Sequence, residues 1–115
     1  MSKKPFKHRF GFQERCEEAN RIKGKYPDRI PVIVEPGQGI PLMERQKYLV
    51  PRDLTATQFM YTLRKKIKLD AQTALYMFFN DTLAPSSSMM GSIYEEHRDE
   101  DQFLYAHLCV ENTFG

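Results

Sequence analysis

Residues 47–67 read KYLVPRDLTATQFMYTLRKKI. The stretch begins with a short apolar run that ends in proline, Lys47–Pro51, and this pattern predicts a strand. Thr55 and Gln58 follow at the spacing of a capping box, in which two side chains satisfy backbone N–H groups at the start of a helix. The stretch therefore predicts a strand that leads directly into a helix near Thr55.

The predicted helix carries one apolar stripe. Phe59, Leu63 and Ile67 recur every four residues, and Leu54 lies where it can pack on Phe59 as a hydrophobic staple. The basic run RKK at 64–66 complements the negative end of the helix dipole. We therefore expect this helix to end shortly after residue 66.

Two more helices are predicted before the first strand. Pro5 suits the first turn of a helix through Arg9, and Gly11 then breaks that helix. The second helix has apolar residues at steps of three and four, ending near Gly24 and Pro27: Phe12, Cys16, Ala19, Ile22 and Tyr26. We expect this stripe to pack on the sheet and to leave the lysines and arginines exposed.

Three further strands and one more helix complete the prediction. Residues 29–34 and 103–109 are short apolar runs, and Pro31 predicts that the first of them is open on one side. Leu75–Phe79 is apolar throughout, which is typical of a central strand buried on both faces. Ser88 can cap the last helix, and Asn80 with Asp81 turns the chain before it.

The order of elements is two helices followed by β-β-α-β-α-β. This order predicts an α+β fold, a ubiquitin-like β-grasp in which a four-stranded sheet surrounds one main helix, with two extra N-terminal helices. We divide the chain into a helical extension packed on the core (residues 1–25), the ubiquitin-like core (26–110) and a flexible C-terminal tail (111–115).

Charge is distributed unevenly along the chain. The first 25 residues hold eight Lys and Arg against three Glu, whereas the remaining residues carry an acidic excess. The interleaved acidic residues favour a solvated helix face, and the alternative is a surface for an acidic partner such as the cytoskeleton. Because no aromatic stacking stripe accompanies the charge, we expect no nucleic-acid partner.

Composition and cysteine usage favour a single cytoplasmic domain. The chain has 115 residues, and no apolar run approaches the roughly 20 residues of a membrane span. No apolar stretch follows the N-terminal lysines, so we expect no secretory signal. Cys16 and Cys109 lie far apart and form no disulfide framework, which fits a reducing cytosol.

The same residues argue against an enzyme. Cys16 with a histidine could form a nucleophile pair, but Cys16 lies on the apolar stripe and Cys109 in a strand, which favours inert core thiols. His8, His97 and His107 have no metal-ligand spacing. We expect no catalytic residue and no metal site.

The chain resembles the autophagy ubiquitin-like modifiers of the GABARAP type over almost its whole length. The matching segments are FQER (12–15), RIPVI (29–33), KYLVP (47–51), DLT (53–55), QF (58–59), RK (64–65), NDTL (80–83), IY (93–94), FLY (103–105) and ENTFG (111–115).

The resemblance implies a modifier in autophagosome formation, cytoplasmic until lipidated and then bound to autophagosome membranes. Its partners would be ubiquitin-type activating and conjugating enzymes, a cysteine protease for processing and delipidation, and cargo receptors and autophagy adaptors. Gly115 would be joined covalently to phosphatidylethanolamine, and glycine suits this role because it lacks a Cβ. We expect no cofactor. Phe114, Tyr76 and Phe78 would be recognised by the processing enzymes. We expect a monomer when the chain is unconjugated.

The resemblance also implies a groove along Lys47–Pro51 for peptides of the form aromatic-x-x-aliphatic. An edge strand offers unpaired backbone groups to such a ligand. The first-pocket set, for the aromatic side chain, is Glu18, Ile22, Pro31, Ile33, Lys47, Leu49 and Phe103. The second-pocket set, for the aliphatic side chain, is Tyr48, Val50, Pro51, Leu54, Phe59 and Leu63. Lys47 and Arg64 would face acidic residues that flank the motif. An ordinary core role stays open for Phe59, Leu63 and Ile33.

Two features depart from the family pattern. Residues 35–41 form a shorter loop than is usual in the family, and Thr62 stands where relatives carry an apolar residue. Nothing follows Gly115, so the chain is either given in its processed form or ends there in the gene.

The alternative function is that of a non-conjugated peptide-binding adaptor or trafficking protein of the same fold, which would not need Gly115.

Overall fold

The computed structural model describes residues 5–37, 39–41, 43–70 and 72–110. The predicted tail, 111–115, lies outside the described residues. The longest described helix has 14 residues, and no helix in this part of the chain has the length and apolarity of a membrane span. The elements are, in order, α1 (Phe6–Arg9), α2 (Phe12–Lys25), β1 (Arg29–Pro36), β2 (Lys47–Pro51), α3 (Ala56–Ile67), β3 (Leu75–Phe79), β4 (Thr82–Leu83), α4 (Met90–His97) and β5 (Leu104–Val110).

The strands form one mixed sheet in the order β2-β1-β5-β3-β4. β1 runs parallel to β5, from Val32 opposite Leu104 to Pro36 opposite Leu108, and antiparallel to β2. Pro31 lies one residue before the β1–β5 ladder, so β1 is open on that side at this residue, as predicted. β2 is an edge strand with the predicted bounds.

The prediction of four strands was wrong by one. Asn80 and Asp81 have positive φ angles of 50° and 60°, and two such residues in succession make the tight turn of a β-hairpin. The chain therefore reverses, and Thr82–Leu83 pairs with the end of β3 as a fifth strand. Its two residues are too few to give a periodic signal in the sequence.

The strand buried on both faces is β1, and the prediction that β3 takes this place was wrong. Residues 30–34 of β1 are all buried, because helices cover both faces of the sheet at this strand. In β3, buried residues alternate with the half-buried Tyr76 and Phe78. Because successive side chains of a strand point to opposite faces, Tyr76 and Phe78 share the less covered face of β3.

The α3 helix begins as the sequence predicts. The Thr55 hydroxyl accepts a hydrogen bond from the Gln58 N–H (3.2 Å), and the Gln58 side chain accepts one from the Thr55 N–H (2.9 Å). The apolar stripe of α3 is buried against one face of the sheet, in the cluster that also contains Ile30, Val32 and Leu104.

The α2 helix packs on the opposite face of the sheet, but its stripe differs from the prediction. Ala19 and Ile22 are buried, whereas Phe12 is 53% exposed and Arg15 is only 8% exposed. The prediction was wrong at these two positions because Phe6 of α1 packs on Phe103 in the same cluster, and Arg15 turns inward to reach a buried carboxylate.

That carboxylate belongs to Asp101, in the loop between α4 and β5. The Arg15 Nε donates to Asp101 at 2.8 Å, and a guanidinium NH₂ group donates to the Phe10 carbonyl at 2.7 Å. Asp101 also accepts bonds from the Tyr105 hydroxyl (2.6 Å) and the Phe103 N–H (2.8 Å). Burial and the bond to Asp101 raise the pKa of Tyr105. This network joins both N-terminal helices to β5.

We predict that Arg15→Met lowers the free energy of unfolding by about 3 kcal/mol, because it leaves the fully buried Asp101 charge without its cation. Arg21→Met, on the same helix but in an exposed pair with Glu18, is the control and should change the free energy of unfolding far less, because solvent screens an exposed ion pair. Urea unfolding measures both, and equal losses would contradict a special role for the Arg15–Asp101 pair.

Candidate peptide groove and tail root

The open edge of the sheet at β2 separates two apolar clusters. Along β2, successive side chains point to opposite faces. Leu49 packs with the cluster under α2, whereas Tyr48 and Val50 pack with the cluster under α3. The strand therefore carries members of both predicted pocket sets, and its outer backbone groups face away from β1.

The first-pocket set comes together, but most of its apolar members are core residues. Ile22, Ile33 and Phe103 share one cluster, are almost fully buried, and lie beneath the half-buried Leu49. Pro31 is buried as well. An ordinary core role was left open for Ile33, and the structure shows that Ile33 is a core residue. These residues form the floor under the groove rather than its open wall.

The second-pocket set also comes together, and it is closed. Val50, Phe59 and Leu63 are buried in the cluster under α3, with Tyr48 and Leu54 half-buried against them. Pro51 is half-buried at the end of β2. Tyr48 packs edge-on against Phe59, and its hydroxyl donates to the Arg45 carbonyl at 3.1 Å. A ligand side chain entering here must displace or rotate Tyr48 or Leu54.

An open cavity of about 910 Å³ runs along the start of β2, between α1, α2 and the 44–49 segment. Four residues of the predicted sets line it: Ile22, Lys47 and Leu49 of the first set, and Tyr48 of the second. Most of its other polar lining is basic and was not predicted: Arg9, Arg21, Lys25, Arg29, Arg45 and Lys66. An apolar floor with a basic rim suits an apolar side chain that is flanked by acidic residues.

Lys47, which lines this cavity, is paired with Glu18 of α2. The Lys47 ammonium lies 2.6 Å from the Glu18 carboxylate, which also accepts two bonds from Arg21 at 2.9 Å. The bonds from Arg21 and Lys47 lower the pKa of Glu18 to about 2. Glu18 is therefore ionised at neutral pH and links α2 to the edge strand. It also lines a neighbouring cavity of about 470 Å³ with Phe6 and Phe10.

Arg64 and Thr62 of α3 both donate hydrogen bonds to nearby backbone carbonyls. Arg64 donates to the carbonyls of Asp70 (3.3 Å) and Thr73 (2.9 Å), so its charge is directed to the loop after α3. The basic α3 side chain that lines the large cavity is Lys66. Thr62 is exposed and donates to the Gln58 carbonyl at 3.2 Å.

The residues predicted for processing and conjugation lie on other elements. Tyr76 and Phe78 are half-buried on β3, opposite Cys109 and His107 of β5. β3 is separated from β2 by two strands, so these residues and the groove occupy different parts of the molecule. Phe114 and Gly115 lie outside the described residues.

The last described residue, Val110, is held from two sides. It pairs with Leu75 of β3. On the other side, the Gly37 N–H donates to the Leu108 carbonyl at 2.7 Å, and Gly39 has a φ of +85°. A Cβ at Gly39 would lie 2.4 Å from a Val110 methyl group. We call the site formed by Val110, Leu75, Gly37 and Gly39 the tail root. The short glycine-bearing loop therefore packs closely on the strand that leads into residues 111–115.

This architecture has a close counterpart of known structure. The crystal structure of Trypanosoma brucei ATG8 matches it with a TM-score of 0.90 at 40% sequence identity, covering 99% of this chain and 100% of that one. The family model described as "Autophagy protein Atg8 ubiquitin like" matches residues 14–115. The fold is therefore that of a ubiquitin-like protein, as the order of elements predicts.

Curated relatives match this chain over almost their full length, and they are also Atg8 proteins. Autophagy-related protein 8a of Arabidopsis thaliana is 52% identical over 117 aligned residues, covering 100% of this chain and 96% of that protein. Autophagy-related protein 8 of Kluyveromyces lactis is 50% identical, covering 98% and 93%. The chain belongs to the Atg8 family of ubiquitin-like autophagy proteins. The narrower GABARAP-type assignment stays a prediction.

The basic rim is the main feature that sequence reasoning missed. The excess of Lys and Arg in the first 25 residues was visible, and a solvated face was the favoured interpretation. The cavity is lined by Arg9 and Lys25 from that segment and by Arg45 and Lys66 from distant parts of the sequence. These residues come together only in the folded chain.

Proposed function

We propose that this chain is an autophagy modifier that carries phosphatidylethanolamine on Gly115 and recruits cargo receptors and adaptors by binding extended peptides at β2. The observation that carries the proposal is the geometry of β2. It is an open edge strand with an apolar cluster on each side and a basic cavity along its start. Membership of the Atg8 family supports the same function.

Peptide binding follows from the chemistry of this edge. An extended ligand pairs with the outer N–H and C=O groups of β2 and gains affinity from its backbone. Its aromatic side chain packs over Leu49 and Ile22, and acidic residues beside the motif meet the basic rim. Its aliphatic side chain, three residues on, requires Tyr48 and Leu54 to open the second-pocket set. The ligand preference is therefore set partly by how easily these two residues move.

We predict that Leu49→Ala weakens the affinity for an aromatic-x-x-aliphatic peptide by about 2 kcal/mol, because it removes an apolar contact at the centre of the groove. Tyr61→Ala is the control, since Tyr61 is 62% exposed on α3 and lines neither of the two cavities described above. Calorimetry gives the affinities, and thermal unfolding checks that both variants stay folded. Wild-type affinity for a folded Leu49→Ala variant would exclude β2 as the binding edge.

Conjugation through Gly115 explains how a chain whose described helices cannot span a bilayer is held on one. The family model extends through Gly115, and the tail root at Val110 lies on the surface five residues earlier. A glycine at the activated position can enter a narrow enzyme channel, because it has no side chain to exclude. Activating and conjugating enzymes and a processing protease are the implied partners, with Phe114, Tyr76 and Phe78 as their proposed contacts. In this function the chain itself is a substrate and performs no catalysis.

We predict that Gly115→Ala reduces the rate of phosphatidylethanolamine conjugation at least tenfold in a reconstitution with the activating and conjugating enzymes, while its peptide affinity stays at the wild-type value. The mobility of the lipidated product and its intact mass give the readout. Conjugation of Gly115→Ala at the wild-type rate would contradict the proposed site. If the wild-type chain binds peptide and is never conjugated, the adaptor alternative is the correct function.

A further inference from the structure

Basic residues gather at the end of the molecule that holds the tail root. A cavity of about 730 Å³ opens between the C-terminal turn of α3 and the loop before β2. Pro41, which lines this cavity, is two residues from Gly39 at the tail root. Arg64 joins α3 to the Thr73 carbonyl, two residues before Leu75, which pairs with Val110.

This basic end consists of Arg45, Lys65, Lys66 and Lys68. All four are exposed, and all but Lys65 line the cavity. Within the described residues none of the four takes part in a salt bridge. The acidic residues nearby are Glu44, which also lines the cavity, and Asp70. The basic end therefore carries an excess of positive charge even when both acidic residues are counted.

The opposite end of β5 is acidic. Glu95, Glu96, Asp99 and Glu100 precede the strand, with Arg98 the one Lys or Arg among residues 95–101. β5 has seven residues, so about 20 Å separate its two ends. Asp99 is paired with Lys7, and Glu95 with Arg52 and Arg98, so much of the acidic charge where β5 begins is neutralised. The excess of charge therefore lies at the basic end, where β5 leads into the tail.

We propose that the basic end faces the anionic headgroups of the membrane that carries the tail, so that the conjugated chain has a preferred orientation. This proposal rests on conjugation through the tail. Five residues reach at most about 17 Å, so the tether keeps the tail root close to the bilayer surface. Each basic residue near an anionic leaflet strengthens the contact about fivefold. The other end of β5 has no comparable excess of positive charge, because Lys7, Arg52 and Arg98 are paired with carboxylates there, so attraction to the same surface selects this orientation.

The proposed orientation affects the groove. Arg45 and Lys66 line both the basic-end cavity and the large cavity along β2, whereas Lys68 lines only the former. Anionic lipid and the acidic flank of a peptide therefore compete for Arg45 and Lys66. Lys68 distinguishes the two ligands, because only the membrane contact involves it.

The experiment measures lysine acetylation rates on tethered protein by mass spectrometry. The full chain, with a C-terminal hexahistidine tag, is held on vesicles of phosphatidylcholine and a nickel-chelating lipid, with or without phosphatidylserine. We expect Lys66 and Lys68 to react at least about threefold more slowly on the phosphatidylserine vesicles, and this difference to vanish at high salt. Lys7 and Lys23, bonded to Asp99 and Gln102 near the acidic end, are internal controls and should not change.

Equal rates for Lys68 on both kinds of vesicle would overturn the proposal, as would slowing of Lys7 and Lys23 to the same degree. Slowing of Lys68 by an acidic peptide without vesicles would assign the basic end to the peptide instead. Lys68→Gln should also reduce the protection of Lys66, because it removes one basic residue from the membrane contact. The tag holds the chain without the conjugating enzymes, so failed conjugation and failed membrane contact give separate results.

Discussion

The parallel pairing of β1 with β5 is the constraint on which the rest of the structure depends. It places β1 deep in the sheet, where helices cover both faces and every residue from 30 to 34 is buried. Because β5 occupies one side of β1, β2 can pair only on the other side and becomes the edge of the sheet. The same pairing brings the loop after β1 against the end of β5, where the tail begins. The groove and the tail root are thus both consequences of one strand pair.

The Arg15–Asp101 pair extends this arrangement to the N-terminal helices. Its guanidinium joins α2 and the Phe10 carbonyl to a carboxylate beside β5. A buried pair of this kind gives geometric specificity more dependably than net stability. Here it holds Phe6 against Phe103 and brings the basic side chains of α2 to the cavity along β2. The segment was predicted to pack on the core and to give Glu18 and Ile22 to the first-pocket set. Its basic residues, which were interpreted as a solvated face, also line the cavity.

Features that neighbouring residues determine could be predicted from the sequence, whereas features that depend on distant residues could not. The capping box at Thr55 and the bounds of β2 could be predicted, because neighbouring residues alone determine them. The place of β3 in the sheet, the two-residue β4 and the inward turn of Arg15 depend on residues far away in sequence. The members of each pocket set lie together in the structure. Leu63 and Phe103, however, are fully buried in the core. Their burial could not be predicted, because it depends on which helix covers each face of the sheet. The basic lining of the cavity had no local signature.

The central claim is that an extended peptide adds to the open edge of β2, and amide hydrogen exchange tests it directly. The sheet has a second edge at β4, Thr82–Leu83, which serves as a comparison within the same molecule. The account predicts that an aromatic-x-x-aliphatic peptide slows exchange at the outward-facing amides of Lys47–Pro51 and leaves Thr82 and Leu83 unchanged. Slowed exchange at Thr82 and Leu83, with β2 unaffected, would contradict it.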